Sequence, residues 1–584
     1  MANADGHGHP TAAQVVRIVF RTLRPERDFF GLAMIYGVGI GVLSLATPIA
    51  VQVLINTVAY TGLTAPLFVL SLTLFGLLLA SGLLNALRVH LMEIFARRFY
   101  ARLVGHIALK ALYARNPFFA DTERTPLFNR YFDIVSVQKA MPVLFIGGFT
   151  VVLQVLVGFV LTSFYHPLFL AFNVIVVLLI WAVWAVWGRS AILTSVTQSE
   201  AKHDTMAWIG QLAASNGYFK SDRHIAHALR RTDAMTGAWV TAHKRHFRRF
   251  YAQTVSFLVI YAAASAALLG LGGWLVIQGQ LTLGQLVAAE LVLSAALYGV
   301  SQLGTYVNYF YDVAAACEEL SRLDAIEEEM PRGDDDPACN DATLVFDDVR
   351  GTARSAEARF DFAIPGGVAL RAIAASHGTQ RLFSNLLKRF EDPQGGMLTL
   401  GGEDLTALEV LALRREVVVL DRTAVVGATI REYLELACED ASSAEMLEAI
   451  ETVGLGGALR DLEAGFDTPI ATTGYPLSVS EVMRLKLAGA ILSTPAVLVL
   501  SPLYDTMPKE TLASAVRTLQ DARARKRGGP GQRSTVIVFT ASGRQLDLDG
   551  TLYLSPTEQR LELRDTRALP ATDAGRPLMP IPAE

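Results

Sequence analysis

The apolar first half of the chain holds few groups that could do chemistry, and Glu290 is one of them. It lies about one-third into the apolar run 283–311, where a carboxylate is costly unless it faces a cavity or a partner. It serves either a functional site or the lining of a cavity. Arg88, His90 and Glu93 sit toward the inner end of a second apolar run, 66–95, and are expected to mark the cytoplasmic interface. In the second half the turn Ala374-Ala375-Ser376-His377-Gly378-Thr379-Gln380-Arg381 follows one β-branched run, and Ser501-Pro502 follows another. Turns at the carboxyl ends of parallel strands are where α/β sheets bind ligands. Ser478 opens a helical pattern and is suited to capping it. Cys317, Cys339 and Cys438 are too few and too far apart for a disulfide framework or a zinc cluster, so no metal site is expected.

These groups sit on two unlike halves. Apolar runs of spanning length occur only in the first: 29–58, 66–95, 141–164, 167–188, 252–277 and 283–311. They explain why 52% of the chain is hydrophobic and only 18% charged, with a mean hydropathy of +0.35. The segment before the first run and the connections after the second and fourth are rich in Lys and Arg. The other three connections have none. The positive-inside rule then puts both termini in the cytoplasm. The two basic connections, roughly 45 and 60 residues long, are expected to be helices continuing past the membrane, since structureless loops of that length are uncommon. A formal charge of −4 gives no case for nucleic-acid binding.

The division follows as 1–28, a cytoplasmic N-terminal segment; 29–330, a six-helix membrane domain; and 331–341, a Pro- and Asp-rich linker. An α/β domain over 342–567 and a Pro/Ala-rich disordered tail over 568–584 complete it. Within the α/β domain, strands are expected at 344–346, 368–374, 417–420, 497–500 and 535–539. Helices are expected at 380–390, 444–453, 478–492 and 509–525. Asn116–Asp133 and Gly210–Asp222 read as elbows in the two long connections.

Six spans with long inner connections, then an α/β domain, resemble a half-transporter of the ATP-binding cassette (ABC) exporter family. The resemblance extends over nearly the whole chain. Gly273–Leu286 is similar to the family's turn between spans five and six, and Phe362–Gly367 to the strand before its phosphate loop. Arg389–Pro393, Gly401–Leu405, Gly427–Glu432 and Gly465–Pro469 follow in family order. The resemblance implies a helical membrane domain of type I/type IV exporter form followed by an ABC ATPase-like α/β domain.

The family's chemistry is not matched. Its phosphate loop, G-x-x-x-x-G-K-[ST], wraps phosphates in backbone amides, neutralises them with Lys and holds Mg²⁺ through a hydroxyl. Here Ala374, His377, Gly378, Thr379, Gln380 and Arg381 occupy that loop, with Gln380 at the Lys position and Arg381 at the hydroxyl position. Ser501 and Pro502 stand where the resemblance calls for a metal-positioning Asp and a water-polarising Glu. Asp421 replaces the glutamine that senses the γ-phosphate, and Ala541 replaces the switch histidine. The signature Leu-Ser-Gly-Gly-Gln reads Leu477-Ser478-Val479-Ser480-Glu481.

No catalytic residue and no cofactor are therefore expected, and Mg-ATP binding is not. The expected protein is an exporter-shaped pseudo-transporter: a structural, regulatory or partner-binding subunit in a lipid bilayer. As a homodimer or a heterodimer with another ABC-like half, it would reside in the bacterial inner membrane, where unrelated membrane subunits could also join it. The alternative is the non-catalytic half of a heterodimeric exporter of lipid, peptide or small-molecule cargo. The plainest reading of the second half is a folded dimerisation or docking module that binds no nucleotide.

Overall fold

The computed structural model describes residues 10–44, 46–60, 65–115, 125–329, 341–353, 356–527, 532–541 and 545–564. Cys339, nearly all of the linker, the expected tail and part of the first elbow (116–124) lie outside these. The chain divides into two compact units, Met1–Glu329 and Met330–Glu584.

The first unit is helical. It comprises α1 (Ala12–Leu23), α2 (Arg27–Leu43), α3 (Ala46–Tyr60), α4 (Ala65–Leu112), α5 (Asp133–Val143), α6 (Phe149–Ser163), α7 (Pro167–Ala214), α8 (Asp222–Ile277) and α9 (Leu283–Asp324). Among the described residues, six stretches are long and apolar enough to cross a membrane. The first expected span comes as two helices, and Pro48 near the start of α3 cannot donate to a helix continued from α2. The third is α5 and α6 joined through a π-helical turn, Leu144–Gly148, just after Pro142. As the long polar connections suggested, α4, α7 and α8 run well beyond their apolar stretches. At the second elbow only a 3₁₀ turn, Asn216–Phe219, separates α7 from α8.

Charged pairs fasten the polar ends of this bundle. Asp133 of α5 accepts from Lys202 Nζ at 2.8 Å and pairs with His203 Nε2 at 2.6 Å, both on α7. Buried Glu26 takes Arg102 of α4 at 2.9 Å. The Glu319 carboxylate of α9 meets Arg130 at 2.5 Å. The amphipathic α1 turns Val15, Val19 and Leu23 into the same core.

The second unit carries β1 (Leu344–Ala353), β2 (Ala356–Ile364), β3 (Ala369–Ala374), α10 (His377–Leu387), β4 (Gly395–Leu400), β5 (Glu403–Asp404), α11 (Val410–Glu416), β6 (Val417–Leu420) and β7 (Ala428–Thr429). It continues with α12 (Ile430–Ala437), α13 (Ser443–Thr452), α14 (Gly456–Asp461), β8 (Pro469–Ile470), α15 (Val479–Ser493), β9 (Val497–Leu500), α16 (Lys509–Arg527), β10 (Thr535–Phe539), β11 (Gly550–Leu554) and β12 (Gln559–Leu563). The six-stranded sheet has the order β12-β11-β3-β10-β9-β6 and is parallel except at β12. An antiparallel sheet, β2-β1-β4-β5, lies beside it in the same unit. Phe362–Gly367 is thereby corrected: it ends β2 against β1 and turns, and the strand that leads into the Ala374–Arg381 turn is β3.

Candidate functional site

Because β3, β10, β9 and β6 are parallel and in register, their carboxyl ends fall on one edge of the sheet. Four of the sequence-picked positions meet there: the turn Ala374–Arg381 after β3, Ser501-Pro502 after β9, Ala541 after β10 and Asp421 after β6. The segment Leu477–Glu481 instead opens α15, and Glu290 belongs to the other unit.

The turn after β3 is short because α10 starts early. Helix was expected from Gln380, but winding begins at His377 with Ser376 as N-cap. The Thr379 N–H donates to Ser376 Oγ at 3.1 Å, the two hydroxyls share a hydrogen bond at 3.0 Å, and the Gln380 N–H donates to the Ser376 carbonyl at 3.1 Å. Two amides of the first turn, those of Thr379 and Gln380, are thus satisfied from within. Gly378, Thr379 and Gln380 are buried, and Arg381 is half-buried. The helix is fixed by its apolar face, where Phe383 stacks on Phe346 at 5.3 Å and meets Phe539 edge-on at 5.9 Å.

After β9, the Ser501 N–H donates to the Leu420 carbonyl at 3.1 Å, while its buried Oγ has no hydrogen-bond partner among the described residues. Pro502 begins a 3₁₀ turn, Pro502–Thr506. That turn carries Asp505, which sequence reasoning missed. Its Oδ2 accepts from Thr540 Oγ1 and from the Ala541 N–H, both at 3.0 Å, so the ends of β9 and β10 are tied together. The only signal was an acidic residue five positions after the end of β9. Asp421 is solvent-exposed beside Arg422 at 3.9 Å.

At α15, Ser478 and Glu481 form a capping box. The Glu481 N–H donates to Ser478 Oγ at 3.3 Å, and the Ser478 N–H donates to Glu481 Oε2 at 2.7 Å. A carboxylate therefore sits at the positive end of the helix. Val479 is 60% exposed beside it.

In the membrane unit, Ser294 Oγ donates to Glu290 Oε1 at 3.0 Å, while Oε2 is buried with no hydrogen-bond partner among the described residues. Arg88 turns into the bundle instead of lying at its edge. It is 2% exposed and donates to Thr150 Oγ1 at 2.7 Å and Asn85 Oδ1 at 2.8 Å. Among the described residues no group of His, Cys, Asp and Glu is arranged to hold a metal ion.

Comparison with known proteins agrees with this architecture. Residues 30–209 match the family model described as the ABC transporter transmembrane region. An uncharacterised ABC transporter ATP-binding protein of Bacillus subtilis, YknU, is 28% identical over 264 residues, covering 44% of this chain and 45% of the relative. The beta-(1-->2)glucan export ATP-binding/permease protein NdvA of Rhizobium etli is 23% identical over 384 residues, covering 60% of this chain and 65% of that protein. The matches span 45% to 65% of the length of these curated relatives. A solved structure of a bacterial Atm1-family ABC exporter with ATP bound superposes with a TM-score of 0.74 at 17% identity, over 92% of this chain and 95% of that one. The protein is an integral-membrane chain with the fold of an ABC exporter half-transporter, its helical membrane unit followed by an α/β unit.

Proposed function

We propose that this chain does not hydrolyse ATP and acts as a structural, regulatory or partner-binding subunit of a membrane complex. The observation that carries the reading is the turn after β3. The Thr379 and Gln380 amides are engaged by Ser376, and the positions for the neutralising Lys and the metal-holding hydroxyl are Gln380 and Arg381. Ser501 and Pro502 offer neither a carboxylate for Mg²⁺ nor a base for water. Asp421 adds negative charge where a γ-phosphate would be sensed. These residues do not fit Mg-ATP, and no hydrolytic step is assigned to them.

Exporter active sites are composite, one subunit giving the phosphate loop and the other the signature. A homodimer of this chain then has no competent site. A heterodimer with an intact ABC half would pair that partner's loop with Leu477–Glu481, where Ser478 persists on a helix N-terminus. Ser478 is the one feature that favours the second reading, a non-catalytic half of a heterodimeric exporter. The proposed location is the bacterial inner membrane with both termini cytoplasmic, in keeping with the basic connections.

Purification of the full chain from native membranes in mild detergent, followed by mass spectrometry, tests this. Stoichiometric non-ABC membrane subunits, or the chain alone as a dimer, support the first reading. A stoichiometric ABC half with complete motifs moves the assignment to the second.

A further inference from the structure

Between Asp233 and Glu290 the chain has no acidic residue. Within that stretch α8 carries Lys244, Arg245, Arg248 and Arg249, just before the apolar run 252–277. All four are exposed, and among the described residues none of their side chains has an ion-pair or hydrogen-bond partner. Cations at the matching end of α4 are neutralised within the unit: Arg97 by Glu93, and Arg98 and Arg102 by Glu26. The α8 cluster is different in kind, since its charge is left to meet something outside the chain.

Helix geometry says which way the cluster faces. Ala242, His246, Gln253 and Phe257 are buried on one side of α8. Lys244, Phe247, Arg248 and Tyr251 recur at three and four residues on the opposite side, and Val255 and Leu258 continue that line as exposed side chains. One outward stripe therefore passes from cations through two aromatic rings into aliphatic side chains. That is the profile of a bilayer from headgroups to hydrocarbon, with aromatics at the boundary. At 1.5 Å per residue, Arg248 lies about 4.5 Å and Lys244 about 10.5 Å along the axis from Tyr251.

A neighbouring helix adds another cation. Thr194 of α7 meets His246 of α8 at 3.2 Å, and Trp208 of α7 donates to Thr232 of α8 at 2.9 Å. The two contacts are equally far apart on both helices, so α7 and α8 run antiparallel in register. Arg189 precedes Thr194 by as many residues as Tyr251 follows His246, and so stands level with Tyr251. It is exposed at the end of the apolar run 167–188, and its side chain likewise has no ion-pair or hydrogen-bond partner among the described residues.

We propose that this basic rim binds a phospholipid with two phosphates in its headgroup, in the leaflet on the side of the two long connections. Unpaired Arg and Lys directly beside a span attract anionic lipid, each adding to the affinity, and Arg grips phosphate oxygens with two parallel hydrogen bonds. The rim extends over about 10 Å of helix axis from Lys244 to the level of Arg189, more than a single phosphate group can bridge. No nucleotide takes part, so the proposal stands or falls apart from the reading of the α/β unit.

The test uses the full-length protein in phosphatidylcholine nanodiscs doped with cardiolipin as the two-phosphate probe, or with phosphatidylglycerol at equal total phosphate. N-hydroxysulfosuccinimide acetate acylates accessible amines, and peptide mass spectrometry compares Lys244 with Lys220 at the second elbow. Cardiolipin is expected to slow acylation of Lys244 about tenfold and to leave Lys220 unchanged. Phosphatidylglycerol should slow it far less, and soluble pyrophosphate not at all. By native mass spectrometry, cardiolipin binding should weaken about tenfold in Lys244→Gln with Arg248→Gln and persist in Arg248→Lys. Arg223→Gln with Arg230→Gln removes the same charge from the same helix, about 27 Å or more from Arg248, and should leave binding unchanged. No protection of Lys244, equal protection by phosphatidylglycerol or pyrophosphate, or equal weakening in the two double variants overturns the proposal. The acylation arm needs only wild-type protein, so poor folding of a variant leaves it decisive.

Discussion

The hydroxyl of Ser376 accepts a hydrogen bond from the backbone N–H of Thr379 at 3.1 Å. This contact closes the first turn of α10 upon itself at the carboxyl edge of the parallel sheet. A phosphate loop keeps such amides pointed at a ligand. Here a serine holds one, and the next is held by the Ser376 carbonyl at 3.1 Å. In the proposed reading, Gln380 and Arg381 stand beside it where the loop's Lys and metal-holding hydroxyl would be.

Ser478 makes the capping box of α15, and in the alternative proposed above it would also meet a partner's phosphate. As a cap, its loss should cost about 1 kcal/mol. Ser478→Ala is expected to lower the melting temperature of the α/β unit's transition in the full chain. Ser478→Asp, which can still cap, should restore it. Restoration by Asp would not occur if the hydroxyl served only a phosphate.

Glu481 and Val479 offer a related check on the second functional reading. If a partner's ATP docks on this helix, Glu481→Gln with Val479→Gly should raise transport or ATPase activity of the purified complex, since a repelling charge and a bulky side chain are removed. No rise is expected under the favoured reading.

Gly147 lies in the π-helical turn between α5 and α6, and a Cβ there would fall 2.5 Å from Tyr306 Cε1 of α9. Gly147→Ala should destabilise the membrane unit by about 1–3 kcal/mol through overpacking. Gly76→Ala, where nothing lies within 4 Å of the added carbon, should be near neutral or slightly stabilising. Paired thermal melts in detergent compare the two.

Lys388, the C-cap of α10, holds its Nζ 5.4 Å from the centre of the Phe390 ring, with Arg414 4.6 Å from the same ring. Burial, and then repulsion from Arg414, pull its pKa from 10.5 down to about 8, while Asp421 opposes the shift. Between these values the unfolded chain holds the extra proton, so this residue makes stability rise with pH from about 8 to 10.5. Below 8 both states are protonated and the full cost of the buried charge is present. Lys388→Met is expected to raise the melting temperature of the α/β unit at pH 7 and to flatten its rise above pH 8. An unchanged pH profile would contradict this.

Much of the fold was legible because its signals are long or strongly periodic. Val417–Leu420, Val497–Leu500 and Thr535–Phe539 are strands residue for residue as the β-branched runs suggested, since each is a short apolar run packed on both faces. The antiparallel sheet was harder. Expectation stopped at Phe346, because Asp347 and Asp348 interrupt the pattern, and Asp348 sits at φ 48° in a bulge between Phe346 and Val349. The early start of α10 was missed because His377-Gly378-Thr379 are weak helix formers. What overrides them is the Ser376 cap and the anchoring of Phe383. Asp505 had only its place shortly after a strand end to mark it, and its role exists because β9 and β10 are neighbours.

The central claim is that the α/β unit lacks working ATP chemistry, and nucleotide turnover tests it most directly. Full-length protein purified to homogeneity in nanodiscs is assayed for Mg-ATP binding by a fluorescent nucleotide and for vanadate-sensitive phosphate release. The expected outcome is no saturable binding and no release above that of empty nanodiscs. Saturable binding with vanadate-sensitive turnover by the chain alone would contradict the claim.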